Sequence, residues 1–144
     1  MLRNKIKIDA DEALRMGDTK KVGALRYLIS IIDKKALTLP PDTLTEKEEL
    51  QVLQKELKNK QEAKEMFAKA VRSDLVAEQE YEIEILKKYL PEAMDEFELE
   101  KIVDEVLRQA QDSSFGNIMR EVGKLVAGRA DGGQISQIVK IKLS

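Results

Sequence analysis

The sequence predicts an all-α protein, in which an N-terminal multi-helix subdomain with one long polar helix is hinged at Pro91 to a compact C-terminal three-helix subdomain. Apolar residues recur at intervals of three and four, as they do on the buried side of a helix. Charged residues make up 36% of the 144 residues and aromatic residues only 4%, a composition typical of amphipathic helices. The predicted subdomains span residues 1–90 and 92–144.

The chain contains no cysteine and no histidine. Disulfides, thiolate nucleophiles and zinc fingers are therefore excluded, as is catalysis by triads, Cys–His pairs or zinc-bound water. No apolar run approaches the roughly 20 residues that span a bilayer, and the N-terminus has no signal-type apolar core. We expect a cytoplasmic protein with no cofactor, no metal site and no membrane contact.

The net charge of −2 is distributed unevenly. Residues 1–38 carry nine basic and five acidic side chains, residues 39–91 nine and twelve, residues 92–112 two and eight, and residues 113–144 five and two. The two ends are thus basic and the middle is acidic. A protein that coats nucleic acid indiscriminately would be basic overall, so any nucleic-acid role must be local and guided by shape.

Capping residues predict the helix boundaries of the N-terminal subdomain. A first helix over residues 2–16 ends at Gly17, and Asp18 caps a second helix that cannot continue through Pro40. Thr45 and Glu48 form a capping box that opens a long helix. The first two helices are predicted to bury these residues: Leu2, Ile6, Ala10, Ala13, Leu14, Val22, Leu25, Leu28, Ile29, Ile32 and Ala36.

The middle of the long helix, residues 58–65, has no large apolar side chain. We expect it to project beyond the core or to face solvent on most sides. A break at residues 72–74 follows, where Ser73 is predicted to cap a helix that ends before Pro91. Four alternating glutamates in that helix are expected to be ordinary solvated surface: Glu78, Glu80, Glu82 and Glu84.

Three helices are predicted after Pro91. Asp95 and Glu98 suit a capping box at the start of the first, and Ser113 or Ser114 is expected to cap the second. The second and third helices have a buried side with these apolar residues: Ile118, Met119, Val122, Leu125, Val126, Ile135, Ile138 and Val139.

The joint between the last two helices is the best-specified feature of the sequence. Gly128 lies where a chain leaving a helix adopts the left-handed conformation. Asp131 lies where the next helix needs an oxygen to accept its first free N–H groups, and Gln134 completes a capping box.

Six short blocks follow one another along the chain: Leu25-Arg26-Tyr27-Leu28-Ile29-Ser30, Leu44-Thr45-Glu46, Val52-Leu53-Gln54-Lys55-Glu56-Leu57-Lys58, Arg72-Ser73-Asp74-Leu75, Ile85-Leu86-Lys87-Lys88-Tyr89-Leu90-Pro91 and Gly128-Arg129-Ala130-Asp131-Gly132. In this order they resemble the YqeY family. This family is the free-standing relative of the tail domain of the GatB subunit of the tRNA-dependent amidotransferase. The resemblance covers nearly the whole chain.

The resemblance implies an all-helical, two-part fold whose C-terminal part is similar to a tail that engages the body of tRNA. The related enzyme amidates misacylated Glu-tRNA or Asp-tRNA, and its chemistry lies in a different GatB domain that has no counterpart here. Four positions depart from the family's usual residues, among them Lys124, which stands where a proline is common and partly replaces missing positive charge. Val71 stands where a glycine usually precedes Arg72, and Asn117 and Ala127 stand where positive charges are expected.

Five basic residues are candidates for RNA binding. Arg120 and Lys124 lie four apart and share a helix face. If the last two helices pack antiparallel, one basic patch would follow a phosphate backbone, made of Arg120, Lys124, Arg129, Lys140 and Lys142. Ordinary solvated surface is the alternative.

The joint is a second candidate, formed by Gly128, Asp131 and Gly132. Free N–H groups at a helix N-terminus suit a phosphate. The alternative, which we favour, is that Asp131 already occupies those donors and the glycines only make the turn.

Two other modes of nucleic-acid binding are less favoured by the sequence. A DNA-reading helix would use Gln134, Ser136, Gln137 and Lys140, but the chain is acidic overall. Base stacking is disfavoured, because Phe97 and Phe115 are expected to pack in the core. Core or hinge packing is also expected for Phe67, Tyr81 and Tyr89.

Three functions remain open at this point. The first is a non-catalytic accessory protein that binds tRNA or another structured RNA and is related to tRNA-dependent amidotransferase. The second is a helical protein–protein adaptor. The third is a carbon–nitrogen ligase with glutamine as amido donor, acting only with other subunits.

Overall fold

The computed structural model describes residues 1–144 and contains seven α-helices and no strand. The chain divides into two compact units, Met1–Leu90 (unit 1) and Pro91–Ser144 (unit 2). The all-α prediction is thereby confirmed, whereas the hinge at Pro91 stays a prediction. None of the helices is both long enough and apolar enough to cross a membrane.

Unit 1 contains four helices: α1 (Leu2–Arg15), α2 (Thr19–Leu37), α3 (Glu46–Lys69) and α4 (Ser73–Lys87). Helices α1 and α2 pack against each other, as do α3 and α4, and α3 also contacts α1 and α2. The fully buried side chains of this core include Ile6, Leu25, Ile32, Leu53 and Leu86.

The local signals in unit 1 act as predicted. Gly17 has a φ of 76° and ends α1, and the Asp18 carboxylate accepts the Lys21 N–H at 3.1 Å. Thr45 and Glu48 form the reciprocal capping box of α3. The expectation for Leu14 is wrong, because this side chain is exposed. At 100° per residue it lies well to one side of the buried stripe of α1.

The polar middle of α3 faces solvent on most sides, as expected, and Lys60 is the buried exception. Its residue surface is only 9% exposed. The Nζ lies 2.6 Å from Oε2 of Glu82 on α4 and 3.4 Å from Oε1 of Glu56, and 5.0 Å from the ring centroid of Tyr27. Glu82 is therefore not ordinary solvated surface. One turn further along α3, Lys64 Nζ lies 3.4 Å from Oε1 of Glu80, so the polar sequences of α3 and α4 pair with each other.

The break between α3 and α4 is at the predicted place but is built differently. Ser73 is the first residue of α4, and the preceding residue, Arg72, makes no side-chain cap. The Arg72 guanidinium donates instead to both carboxylate oxygens of Asp74, at 3.2 and 3.1 Å. Val71 has a φ of 56° and is 87% exposed. A β-branched residue is strained in this left-handed conformation, and nothing packs over the side chain to offset the strain.

Replacing Val71 with glycine is expected to raise the free energy of unfolding by about 1 kcal/mol, because glycine adopts a positive φ without a Cβ clash. Urea unfolding followed by circular dichroism measures the change. Val71→Ala is the matched control, since alanine keeps the Cβ and should recover only a small part of the gain. A Val71→Gly protein no more stable than the alanine variant would show that the turn is not strained.

Tyr89 packs in the core of unit 1, as expected. Its ring is buried, its hydroxyl donates to a carboxylate oxygen of Asp9, and Lys5 Nζ lies 5.8 Å from the ring centroid. Burial, together with the bond to Asp9, raises the pKa of Tyr89. In its neutral form, the hydroxyl therefore joins the segment that follows α4 to α1.

Unit 2 is a three-helix bundle of α5 (Glu96–Gln109), α6 (Phe115–Val126) and α7 (Gly132–Leu143). Its core is one cluster of buried residues: Met94, Leu99, Val103, Val106, Ile118, Val122, Val126, Ala130, Ile135, Ile138 and Val139. Leu125 was expected in this core and is exposed instead. It lies at the edge of the stripe formed by Ile118, Val122 and Val126.

Two caps in unit 2 differ from the predicted ones. The Asp95 carboxylate accepts the Glu98 N–H at 2.8 Å, but the Glu98 carboxylate accepts a hydrogen bond from Arg129. Ser114 makes no side-chain cap, and the Asp112 carboxylate accepts the Ser114 N–H at 2.9 Å. The Asp112 carboxylate is a stronger hydrogen-bond acceptor than the Ser114 hydroxyl. These bonds to Ser114 hold the pKa of Asp112 below its ordinary value, and the nearby Arg120 adds to the effect.

Candidate nucleic-acid interface

The joint between α6 and α7 contains two successive left-handed residues. Ala127 ends α6 with a φ of 49°, and Gly128 follows with a φ of 85°. Asp131 accepts the Gln134 N–H at 2.8 Å, and the Gln134 side chain accepts the Asp131 N–H at 3.1 Å. The capping box is therefore present, and Asp131 occupies one of the donors that a phosphate would use. Gly132 is the first residue of α7, and an anion site there stays a prediction.

Arg129 fixes this joint to the start of α5. Its Nε donates to the Glu92 carbonyl at 3.0 Å, and its Nη2 lies 3.1 Å from Oε2 of Glu98. Its own carbonyl accepts the Met94 N–H at 2.7 Å. Through these three contacts, Arg129 links the joint to the start of α5. Its side chain is 36% exposed.

Lys142 is also paired within unit 2. Its Nζ lies 3.2 Å from Oδ1 of Asp104 on α5, and its side chain is 33% exposed. Two of the five candidate cations thus contact carboxylates of α5. A phosphate that binds either cation therefore competes with those carboxylates.

Arg120 and Lys124 lie on the exposed side of α6. The helical repeat places them opposite the buried stripe of this helix, and their side chains are 66% and 65% exposed. Both contact Oε1 of Glu121, at 3.8 and 3.4 Å. Ion pairs this exposed contribute little, so a phosphate can replace Glu121 at low cost.

Two glycines share the exposed side of α6 with these cations. A Cβ added at Gly116 or Gly123 would meet no atom within 4 Å. The space beside both backbones is therefore open. A bulky ligand can approach the helix backbone here more closely than it could beside a longer side chain.

The guanidinium of Arg120 is held in position. It donates to Oδ1 of Asn117, and the Asn117 amide donates to the Asp112 carbonyl at 2.7 Å. The polar network thus anchors Arg120 to the loop before α6. Asn117 supplies this anchor at a position where the family resemblance implied a positive charge.

Lys140 completes the five candidate cations. It is exposed on α7, and its Nζ lies 5.9 Å from the ring centroid of Phe115 at the start of α6. The end of α7 therefore lies beside the start of α6, which is the antiparallel arrangement that a shared basic patch requires.

The expectation that the two phenylalanines of unit 2 pack in the core is wrong. Phe97 is 65% exposed and Phe115 is 41% exposed. Both precede the first buried residue of their helix, and each lies beneath a lysine, Phe97 with Lys101 at 4.4 Å and Phe115 with Lys140. A cation over an exposed ring partly replaces the contacts that the ring would make in a core.

A family model described as Yqey-like protein matches residues 3–143. The chain belongs to the YqeY family. A search of curated proteins finds no match.

Two features of the site in this YqeY-family protein could not be predicted from the sequence. The spacing of Arg120 and Lys124 indicated their common face, but nothing in the sequence identified the α5 carboxylates that bind Arg129 and Lys142. The exposure of Phe115 was also missed. Its place at the first position of a helix, ahead of the buried stripe, was the only available signal.

Proposed function

We propose that this YqeY-family protein is a non-catalytic accessory protein that binds tRNA or another structured RNA through the exposed side of α6. The observation that carries the proposal is the position of Arg120 and Lys124, two-thirds exposed and opposite the buried stripe of α6. Two cations one helical turn apart suit the repeated negative charge of a phosphate backbone.

The charge of the surrounding segment supports the same surface. Residues 113–144 carry five basic and two acidic side chains, whereas residues 92–112 carry two and eight. Arg129 and Lys142 are paired with carboxylates of α5, so the attraction for an RNA falls on Arg120, Lys124 and Lys140.

The proposal also includes a relation of this protein to tRNA-dependent amidotransferase. The chain contains no cysteine or histidine that would serve as nucleophile or general base. A binding role that brings or holds the RNA, with amide transfer carried out by another protein, accounts for both the basic helix face and this composition.

The experiment compares the affinity of the full chain for a tRNA mixture with that of an Arg120→Ala/Lys124→Ala variant at several salt concentrations. The variant is expected to bind roughly tenfold more weakly at low salt, and its log–log salt slope should be shallower by about two, one for each lost phosphate contact.

The matched control is Lys55→Ala/Lys58→Ala, which removes two exposed lysines from α3 in unit 1 and changes the net charge equally. It should leave the affinity and the salt slope close to those of the wild type. Equal losses in the two variants, or no binding by the wild type, would contradict the proposal.

A protein–protein adaptor is the second candidate, favoured by one observation. Met66, near the end of α3, and Val71, in the following turn, are 70% and 87% exposed. Exposed apolar side chains that form a contiguous patch mark protein contact sites, and a partner that covers both residues would bury them. Wild-type protein that binds no RNA would favour this function.

A further inference from the structure

Phe115 is a partly exposed ring at the start of α6, in line with the buried stripe of this helix and beside Lys140 of α7. It is the first residue of α6, it is 41% exposed, and Lys140 Nζ lies 5.9 Å from its centroid. An aromatic ring left open to water keeps a flat apolar face available for a second ring system. Nucleobases present such a face when they are not stacked within a helix.

The network around Arg120 places a second cation near the same end of α6, although on the other side of the helix from the ring. Arg120 lies five residues after Phe115, about 7.5 Å further along the helix axis. Its guanidinium reaches back to Asn117, two residues after Phe115, and Asn117 is fixed to the Asp112 carbonyl. The charge of Arg120 is therefore held toward the same end of α6 as the ring, while Lys140 approaches the ring from α7.

Phe97 provides an internal comparison, because it is a more exposed ring in the same unit with a lysine above it. It lies in the strongly acidic segment 92–112, where a phosphate chain is repelled. Phe115 lies in the basic segment 113–144. Of the two exposed rings, only Phe115 combines an aromatic face with surroundings that attract RNA.

We propose that Phe115 is a stacking platform for one unpaired base of the bound RNA, that Lys140 binds a phosphate adjoining that nucleotide, and that Arg120 binds a phosphate further along the RNA. This inference rests on the proposed function and narrows its ligand class. The preferred RNA has a looped-out or bulged nucleotide beside a folded stem, because every base of a continuous duplex is already stacked. The sequence predicted core packing for Phe115 and disfavoured base stacking, so this inference reverses that prediction.

The test uses two RNA probes, a stem-loop and a continuous duplex with the same stem sequence, and the full chain with Phe115→Leu. Leucine keeps an apolar side chain but lacks the π face. The variant is expected to lose roughly tenfold in affinity for the stem-loop, in line with the contribution of one stacked base, and to bind the duplex unchanged. Its salt slope should equal that of the wild type, because no phosphate contact is lost.

Two further variants separate stacking from damage to the fold. Phe115→Trp keeps an aromatic face and should retain wild-type affinity for the stem-loop. Phe97→Leu removes the other exposed ring and should have no effect on either probe. Circular dichroism of each variant checks that the helices remain formed.

The outcomes distinguish this inference from the proposed function. A Phe115→Leu protein that binds the stem-loop like the wild type overturns the stacking role and leaves RNA binding by α6 standing. Equal losses in Phe115→Leu and Phe97→Leu, or a loss in Phe115→Trp as large as in Phe115→Leu, also overturn it. Wild-type protein that binds neither probe overturns the proposed function itself.

Discussion

Replacing Lys60 with methionine is expected to lower the free energy of unfolding by about 2 kcal/mol, because it leaves two carboxylates facing each other without their shared cation. Glu56 and Glu82 both lie within 3.4 Å of Lys60 Nζ, and the Lys60 and Glu56 side chains are only 11% and 14% exposed. The loss is smaller than for a fully buried pair, since the Glu82 side chain is 37% exposed and can turn toward water.

The difference in unfolding free energy between the wild type and Lys60→Met depends on pH in a defined direction. Burial alone would lower the pKa of Lys60, but the hydrogen bonds and charges of Glu82 and Glu56 outweigh it, and the pKa lies above its ordinary value of 10.5. The folded state then holds its proton at a pH where the unfolded state has lost it. The stabilisation by Lys60 is therefore complete below pH 10.5 and is lost as the pH rises through the folded pKa. The gap in stability between wild type and Lys60→Met should narrow in that range.

Lys64→Met is the matched control for Lys60. Lys64 pairs with Glu80 at 3.4 Å in the same pair of helices, but the two side chains are 42% and 55% exposed. Its replacement should cost less than about 0.5 kcal/mol. Adding Glu82→Gln to Lys60→Met should restore part of the lost stability. Urea unfolding that finds Lys60→Met as mild as Lys64→Met would refute a structural role for the Glu56–Lys60–Glu82 cluster.

Replacing Glu49 with alanine is expected to lower the free energy of unfolding by about 3 kcal/mol, through a lost buried hydrogen bond and the cavity left behind. Glu49 lies on α3 and is fully buried. Its Oε2 accepts the backbone N–H of Arg3 at 2.9 Å, in the first turn of α1. Met1, which precedes α1, makes no side-chain cap, so a residue from another helix performs this task. The carboxylate is also placed favourably for the dipole of α1.

The other oxygen of Glu49 makes glutamine the informative comparison. Oε1 has no hydrogen-bond partner, and the Arg3 guanidinium binds Asp33 at 2.6 Å. Glu49→Gln keeps an acceptor for the Arg3 N–H and removes a buried charge that is only partly compensated. It should therefore stay within about 1 kcal/mol of the wild type. Glu46→Ala, an exposed change in the first turn of α3, serves as the surface control. Equal effects of the alanine and glutamine variants of Glu49 would contradict this account of the hydrogen bond.

The sequence predicted the helices because their start and stop signals are local. The caps at Asp18, Thr45 and Asp131 each use an acceptor and a donor three residues apart, so the pattern is complete within one turn. The side chains that were misjudged have distant partners. Lys60 binds Glu82, 22 residues away, and Glu98 binds Arg129, 31 residues away. Such choices depend on tertiary packing, which local propensity and periodicity do not contain.

The same contrast between local signals and distant contacts applies to the residues of the candidate site. The interval of four between Arg120 and Lys124 predicted a common face from helix geometry alone. The contacts of Arg129, Lys142 and Lys140 depend on which helix packs beside each residue. Only the fold shows that the first two bind carboxylates of α5 and that Lys140 lies over Phe115. Phe115 belongs with these residues, because its lysine neighbour comes from another helix.

The most direct test of RNA binding by α6 is an NMR titration of the ¹⁵N-labelled full chain with tRNA, in which every backbone amide reports contact. We expect the largest shifts and line broadening along the exposed side of α6, at Gly116, Arg120, Gly123 and Lys124, with smaller changes in α5. Perturbations confined to α3 and α4 of unit 1, or spectra unchanged by saturating tRNA, would contradict the assignment of this helix face as the RNA-binding surface.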